Sequence, residues 1–166
     1  MKKILLILMT MFAFGLQNVC AQDVPLKIVT GHPDFKIQIK RCAASGSTVV
    51  IDMVLSNVGA KDIDAITLYG SPAWNRGEVY DDEGNIYSEG NGKKISLQLT
   101  NVKEYLGWIG PFRILSDVPM RLSVRIEDFS TTAERIALLQ LGVDCAQWGL
   151  ENNKSITIRN IPISRD

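Results

Sequence analysis

Apolar and polar residues alternate along most of the chain after residue 34. The alternation is clearest over residues 35–40, 95–100 and 120–127. Because successive side chains of a β-strand point to opposite faces, this period of two predicts strands with one buried face and one wet face, as in antiparallel sheets. Residues 48–56 are more uniformly apolar, and we expect them to form a central strand.

Turn-forming residues separate the predicted strands. Ser45-Gly46-Ser47 predicts a tight hairpin between the first two strands, and residues 71–77 and 101–119 are expected to be loops. The last strand begins near Ser155, and a shift of its apolar phase predicts a β-bulge near Asn160. Strands of this length and spacing predict an all-β fold, an antiparallel β-sandwich of about seven or eight strands.

One segment favours a helix instead. Thr131-Thr132-Ala133-Glu134 has the form of a capping box and predicts a single helical turn near residues 130–135, followed by a strand over about residues 136–143.

The domain organisation follows from the absence of a repeat, a low-complexity tract or a linker in the sequence. We therefore expect one domain over residues 34–166, preceded by an N-terminal extension over residues 22–33.

Residues 1–21 have a different pattern. Met1-Lys2-Lys3 precedes an apolar run over residues 4–16, and Val19-Cys20-Ala21 ends the segment. A charged start, a short apolar run and a small-residue ending predict a secretory signal peptide that is cleaved after Ala21. A membrane-spanning helix needs about 20 apolar residues, more than this run contains. We expect export to the periplasm or the extracellular space, with a lipid anchor at Cys20 as the alternative.

Charge and cysteine content narrow the function classes. The chain has 18 basic and 18 acidic residues, and two of the basic ones lie in the predicted signal peptide. The remaining chain is slightly acidic, so it has no general attraction to nucleic acid or anionic membranes.

After cleavage only Cys42 and Cys145 remain, and two cysteines in an exported chain predict a disulfide that would stabilise the fold by about 3–5 kcal/mol. Two buried thiols are the alternative.

The segment VYDDEGNIY, residues 79–87, has the acids of a calcium loop and the glycine of a hairpin turn. A calcium loop of the helix–loop–helix type that starts at Asp81 needs glycine at its sixth position, where Ile86 stands. Gly84 fits a hairpin turn between two short strands without adjustment. We therefore expect a hairpin, with a different kind of calcium site on Asp81 and Asp82 as the alternative.

Few residues offer catalytic chemistry. His32 is the only histidine, and its place near the mature N-terminus suits a catalytic base poorly, since a base needs a rigid setting. One histidine and no CxxC pair supply too few ligands for a transition metal. Glu127 and Asp128 are neighbours along a strand and point to opposite faces, which does not suit glycoside hydrolysis. We expect a non-enzymatic protein without a cofactor.

Five aromatic residues fall in the predicted loops: Trp74, Tyr105, Trp108, Phe112 and Trp148. Loop aromatics on a sandwich often form a binding face for sugar rings or for a protein partner. The alternative is that these rings cap the open ends of the sandwich. The first interpretation predicts a binding module, and the second predicts a structural or accessory envelope protein without a specific soluble ligand. Hydrolase activity is the third and least favoured alternative.

The order of four segments carries a resemblance to a known family. They are STVVIDMVLSNVGAKDI, VYDDEGNIY, VPMRLSVRIEDFSTTAERIALLQL and ITIRNIPI, and they span most of residues 34–163. The chain resembles exported bacterial immunoglobulin-like domains of unknown function, as in small secreted proteins of Bacteroides-type gut bacteria, and is similar in architecture to the mycobacterial immunoprotective extracellular protein. The resemblance implies an immunoglobulin-like sandwich outside the cytoplasm and no catalytic residues. Together these features predict an exported module of the bacterial cell envelope that binds a protein or a glycan.

Overall fold

The structure is a sandwich of two β-sheets, as the alternation predicts. The computed structural model describes residues 24–70, 77–88, 95–100, 102–150 and 154–165. These residues form twelve strands and one 3₁₀ turn, Ala146–Trp148. The strands are β1 (Lys27–Val29), β2 (Phe35–Ser45), β3 (Thr48–Asn57), β4 (Ile63–Tyr69), β5 (Glu78–Asp81), β6 (Ile86–Tyr87), β7 (Ile95–Leu99), β8 (Trp108–Ile114), β9 (Met120–Ile126), β10 (Arg135–Asp144), β11 (Ser155–Pro162) and β12 (Ser164–Arg165). None of the described residues forms a helix that is long and apolar enough to span a membrane.

Each sheet has a defined strand order. Sheet A is β1-β11-β10-β4-β8, and β5, which also pairs with β6, follows β4 along the same edge of β10. Sheet B is β12-β2-β3-β9-β7. Neighbouring strands are antiparallel except that β12 runs parallel to β2. β3 pairs with both β2 and β9, which confirms the prediction of a central strand.

The core consists of apolar side chains that point inward from both sheets. In β3 every second residue from Val49 to Leu55 is buried, and the residues between them face outward. The largest fully buried side chains are Phe35, Ile51, Met53, Leu55, Ile66, Leu68, Tyr87, Leu97, Ile114, Leu122, Ile126 and Ile136. Burial of one such side chain contributes about 1.5–3 kcal/mol, so this layer between the sheets is the main source of stability.

Both predicted hairpins are confirmed. β2 and β3 pair as far as Ser45 and Thr48, so Gly46 and Ser47 form a two-residue turn. β5 and β6 pair across a turn that contains Gly84. The φ angles of Gly46 and Gly84 are 56° and 88°, a region that favours glycine because it lacks a Cβ atom.

The helical turn predicted near residues 130–135 is not formed. Residues 130–134 form a bend, and β10 begins at Arg135, which confirms the strand predicted after the turn. Oδ1 of Asp82 accepts hydrogen bonds from two amides at the end of this bend, and the guanidinium of Arg165 donates to two of the bend's carbonyl oxygens. Contacts with residues distant in the chain therefore replace the local hydrogen bonds of a helix.

Residues 101–119, predicted as one loop, contain β8. The alternation is obscured there because β8 pairs with β4 through two register shifts, and because it includes Gly110 and Pro111, which are unfavourable in strands. β8 forms an edge of sheet A. Trp108 and Phe112 therefore lie in a strand rather than in a loop.

Both ends of the chain differ in detail from the prediction. β1 lies within residues 22–33 and pairs with β11, so the predicted extension contributes a strand to sheet A. Asn160 has a φ of 61°, and β11 keeps one register with β10 on both sides of it. The shift of apolar phase thus comes from a residue in the left-handed region and not from an inserted residue. After Pro162 the chain crosses to sheet B as β12.

The predicted disulfide between Cys42 and Cys145 is not formed, and both residues are buried. Cys42 lies in β2, roughly 20 Å along the strand from Phe35 at about 3.3 Å per residue. Phe35 stacks on Trp148, which belongs to the 3₁₀ turn that directly follows Cys145. The two cysteines therefore lie toward opposite ends of the sandwich, whereas a disulfide requires Cα atoms within about 7 Å of each other.

A reducing agent is expected to leave the stability of the folded protein unchanged. Burial raises the pKa of the Cys42 thiol to about 12, so almost no reactive thiolate is present near neutral pH. The measurement is urea-induced unfolding with and without dithiothreitol, and the two midpoints should coincide. A disulfide between Cys42 and Cys145 would instead make the oxidised protein more stable by about 3–5 kcal/mol.

Candidate binding surface

An exposed indole and a tyrosine ring lie side by side on the outer face of sheet A. Trp108 of β8 stands opposite Tyr69 of β4 in the ladder. The adjacent residues Ile109 and Leu68 are buried, so alternation places Trp108 and Tyr69 on the face that points away from the core. Trp108 is 55% exposed, more than any other large apolar side chain among the described residues.

Polar groups lie near Tyr69 on the outer face of sheet A. The Tyr69 hydroxyl donates a hydrogen bond to Oδ2 of Asp144 at 2.9 Å. Tyr69 pairs with Gly142, which has no side chain, and Gln140 lies two residues further along β10. Glu78 of β5 stands opposite Gln140. We call this group the aromatic surface: Tyr69, Glu78, Trp108, Gln140 and Asp144.

Hydrogen bonds hold the polar groups of the aromatic surface in place. The Tyr80 hydroxyl donates to Oε2 of Glu78 at 3.1 Å, and this bond to a carboxylate raises the pKa of Tyr80. Nε2 of Gln140 donates to Oγ of Ser155 at 3.0 Å. The surface therefore offers a ligand a flat apolar ring beside oriented carboxylate and amide groups.

The predicted binding residues do not form one cluster. Of the five aromatic residues, the structure places only Trp108 on the aromatic surface among those it describes, and Trp74 lies outside the described residues. Phe112 packs against the core. Tyr105 lies against Arg125 of β9 in sheet B, with 5.6 Å between the guanidinium carbon and the ring centre.

Trp148 caps one end of the sandwich. Its ring stacks on Phe35, with ring centres 4.8 Å apart, and on His32, with ring centres 5.1 Å apart. Phe35 is fully buried, and Nδ1 of His32 accepts a hydrogen bond from the amide of Asp34 at 3.2 Å. This arrangement agrees with the alternative interpretation of the loop aromatics, in which large rings seal the open end of the core.

The carboxylates of Asp81 and Asp82 bind protein donors. The oxygens of Asp81 accept hydrogen bonds from the side chain of Asn85, from the Tyr87 hydroxyl and from two amides of the hairpin turn. Oδ1 of Asp82 accepts from the amides of residues 134 and 135. A cation would have to displace these donors, and no group of three or more His, Cys, Asp or Glu in the described residues could hold a metal ion.

Sequence patterns point to neither Tyr69 nor Asp144 as site residues. The signal that identifies them is their place in the alternation, since each ends a strand on the polar phase, after the buried Leu68 and Val143. The pairing of β4 with the end of β10 then brings the two side chains together. That pairing joins strands more than 70 residues apart in the chain, as the Tyr69–Asp144 hydrogen bond does.

Comparison with known proteins gives no family. No protein-family model and no curated protein matches the chain. Among solved structures, the chain is similar to a family 123 glycoside hydrolase from Clostridium perfringens, at 14% sequence identity and a TM-score of 0.39. The similarity covers 86% of this chain and 27% of that protein. A similarity this low carries no argument about activity.

Proposed function

We propose that the protein is an exported, non-enzymatic binding module of the bacterial cell envelope and that it recognises a glycan through the aromatic surface. The observation that carries the proposal is the 55% exposure of Trp108 beside Tyr69, whose hydroxyl is bound by Asp144. A ring on the outside of a sheet, with polar groups around it, supplies the two parts of a ligand site: apolar contact and oriented hydrogen-bonding groups.

A sugar ring matches this arrangement. One face of a pyranose presents C–H groups to a flat indole, while its hydroxyls reach outward to carboxylate and amide groups such as those of Glu78 and Gln140. Covering the exposed part of an indole contributes on the order of 2 kcal/mol. A hydrogen bond to a carboxylate adds about 1.5–3 kcal/mol. These contributions suit a module that binds sugars with modest affinity.

The export part of the proposal rests on residues 1–21. Their charged start, short apolar run and small-residue ending are those of a signal peptide. The resemblance to exported immunoglobulin-like domains supports the same location, and the β-sandwich architecture agrees with that resemblance.

Trp108→Ala is expected to remove glycan binding and to leave the fold intact. Affinity should fall at least about tenfold, as it does when a central aromatic anchor is truncated. Because more than half of the Trp108 side chain is exposed, the free energy of unfolding should fall by only about 1 kcal/mol. The measurement is binding of both proteins to an immobilised glycan panel, with thermal unfolding in parallel. Trp108→Phe keeps a flat ring and should retain part of the affinity.

Val118→Ala is the matched control, since Val118 is 50% exposed and lies outside the aromatic surface. Glycan binding that survives in Trp108→Ala would contradict the aromatic surface as the site. Unfolding of that variant at a clearly lower temperature would assign the ring to packing instead. Capture of an envelope protein, with no glycan bound, would make the ligand a protein. Capture of neither would favour the structural or accessory role.

A further inference from the structure

Sheet B carries a groove on its own outer face, on the side of the sandwich opposite the aromatic surface. The groove has a volume of about 550 Å³, within the range of about 300–1,000 Å³ for ligand pockets. One cross-strand row runs along it and spans four strands: Arg41 of β2, Asp52 of β3, Ser123 of β9 and Gln98 of β7. The groove therefore crosses four neighbouring strands of the sheet.

A β-bulge in β2 places two cations at this groove. The register of β2 with β3 shifts between Ile39 and Arg41, so Lys40 is the extra residue. In an uninterrupted strand Arg41 would continue the inward phase of Ile39. The bulge turns Arg41 to the outer face and lets Cys42 point into the core. Bulges often re-aim a side chain near a functional site.

Cations outnumber carboxylates along the groove. Asp52 accepts hydrogen bonds from Nε of Arg41 at 2.9 Å and from Oγ of Ser123 at 2.7 Å, so it orients both side chains. Lys40 and Arg121 have no ion-pair partner within the residues that the structure describes. The groove thus carries a net positive charge, although the whole chain has equal numbers of acidic and basic residues.

Arg125, the next basic residue on the same face of β9, differs from Arg121 because its charge has partners. Nε of Arg125 lies 3.4 Å from a carboxylate oxygen of Glu127, and its guanidinium covers the ring of Tyr105 at 5.6 Å. The Glu127 carboxylate compensates its charge, and the ring contact holds the guanidinium against the protein. Arg121, four residues earlier in the strand, has neither kind of contact among the described residues, so its charge is available to a ligand.

We propose that this groove binds the carboxylate or sulfate groups of an acidic glycan. The planar guanidinium of Arg121 can form paired hydrogen bonds with such a group. Arg41 is paired with Asp52 through Nε, so it adds its remaining N–H donors, and Lys40 adds the second uncompensated positive charge. Nε2 of Gln98 donates to two backbone carbonyl oxygens, which orients its own side-chain oxygen as an acceptor for a sugar hydroxyl.

Other polyanions fit the groove less well. A bound peptide relies on apolar anchors in pockets, and Val54 is the only outward-facing apolar residue in the described lining of the groove. Single-stranded nucleic acid is held by aromatic rings on which the bases stack, and the described lining has no aromatic ring. A glycan needs the combination that the groove has, which is charge together with small hydrogen-bonding side chains.

The test is isothermal titration of the full chain with polygalacturonate and with dextran sulfate, and with dextran as the neutral control. The wild-type protein should bind at least one of the two polyanions, and any binding of dextran should be unchanged by Arg121→Gln. Arg121→Gln should lower the affinity about tenfold or more, because it removes a charge-assisted contact. Arg159→Gln is the charge-matched control, since Arg159 is exposed on β11 of sheet A, and this variant should bind like the wild type.

Several results would overturn the proposal. The first is that neither polyanion binds. The second is that the wild-type protein and Arg121→Gln bind with equal affinity. The third is that Arg159→Gln loses as much affinity as Arg121→Gln, which would indicate a general effect of charge. Binding of poly-glutamate as tight as that of the acidic glycans would assign the groove to acidic peptides instead. Trp108→Ala should bind the polyanion with the affinity of the wild-type protein. The proposal for the groove and the proposal for the aromatic surface can therefore be contradicted independently of each other.

Discussion

Asp81→Asn is expected to lower the free energy of unfolding by about 3 kcal/mol. The side chain of Asp81 is buried, and its oxygens accept hydrogen bonds from the amides of Glu83 and Asn85, from the Asn85 side chain at 2.8 Å and from the Tyr87 hydroxyl at 2.7 Å. An asparagine sets an NH₂ donor against these donors, so at least one buried group loses its partner. The measurement is urea-induced unfolding of both proteins near neutral pH.

The destabilisation should shrink as the pH falls. Burial acts to raise the pKa of Asp81, but the hydrogen bonds from Asn85, Tyr87 and Glu83 outweigh it and hold this pKa below its ordinary value. The carboxylate therefore stabilises the fold above about pH 4, the pKa of an unfolded aspartate, and this contribution is lost as the pH falls through the folded-state pKa. An equal difference between the two proteins at about pH 2 and at neutral pH would contradict this account.

Two further variants are expected to destabilise the fold less than Asp81→Asn does. Tyr87→Phe removes one of the donors to Asp81 and the acceptor of the Ser130 amide, and should lower the free energy of unfolding by about 1–2 kcal/mol. Asp82→Asn loses the ion pair with Arg135, whose Nε lies 3.6 Å from Oδ2, but its amide oxygen can still accept from the two backbone amides. It should therefore have a smaller effect. A loss from Asp82→Asn as large as that from Asp81→Asn would show that hairpin charge, rather than the buried hydrogen bonds, is the cause.

Phe35→Ala is expected to lower the free energy of unfolding by about 4 kcal/mol. Phe35 is fully buried at the start of β2, and its ring stacks on Trp148 at 4.8 Å. Truncation removes the apolar contacts of the ring and leaves a cavity beneath the indole, which cannot collapse because both sheets hold the surrounding strands. The measurement is again urea-induced unfolding, followed by tryptophan fluorescence to report the altered surroundings of Trp148.

Trp148→Ala tests the partner in the same contact. Because this ring is mostly but not fully buried, its removal should lower the free energy of unfolding by about 2 kcal/mol. The double variant should lose less than the sum of the two single losses, by about 0.5–1.5 kcal/mol, the usual coupling of a stacked pair. Strict additivity would mean that the stack contributes nothing beyond burial. A smaller loss is expected from Trp108→Ala, since more of that side chain is exposed.

Local chemistry made the strands and hairpins predictable. Alternation depends only on the two-residue repeat of a strand, so it identified the strands predicted over residues 35–40, 95–100 and 120–127 without knowledge of their partners. Gly46 and Gly84 marked their turns because a positive φ is a property of the residue itself. Trp108 was predicted as a candidate binding residue because it falls outside the alternating runs, and its role in binding stays a prediction, although its exposure is shown.

The candidate sites depended on pairing between distant strands. Tyr69 and Asp144 meet because β4 pairs with the end of β10, and no local pattern specifies that pairing. The groove requires four strands in register, together with a bulge at Lys40 that appears in the sequence only as a break in alternation. Such features depend on contacts made after the strands have formed, so residue order alone does not reveal them.

The sequence by itself determined that the protein is a β-sandwich with an apolar layer between two sheets, because burial alternates residue by residue along each strand. Only the tertiary structure decided that Cys42 and Cys145 lie apart, that Trp148 caps the core while Trp108 faces outward, and that residues 130–134 bend. The physical reason is the same in each case. The pairing of strands determines the distances between side chains. It also determines which distant residues form hydrogen bonds, such as those of Asp82 and Arg165 with the bend.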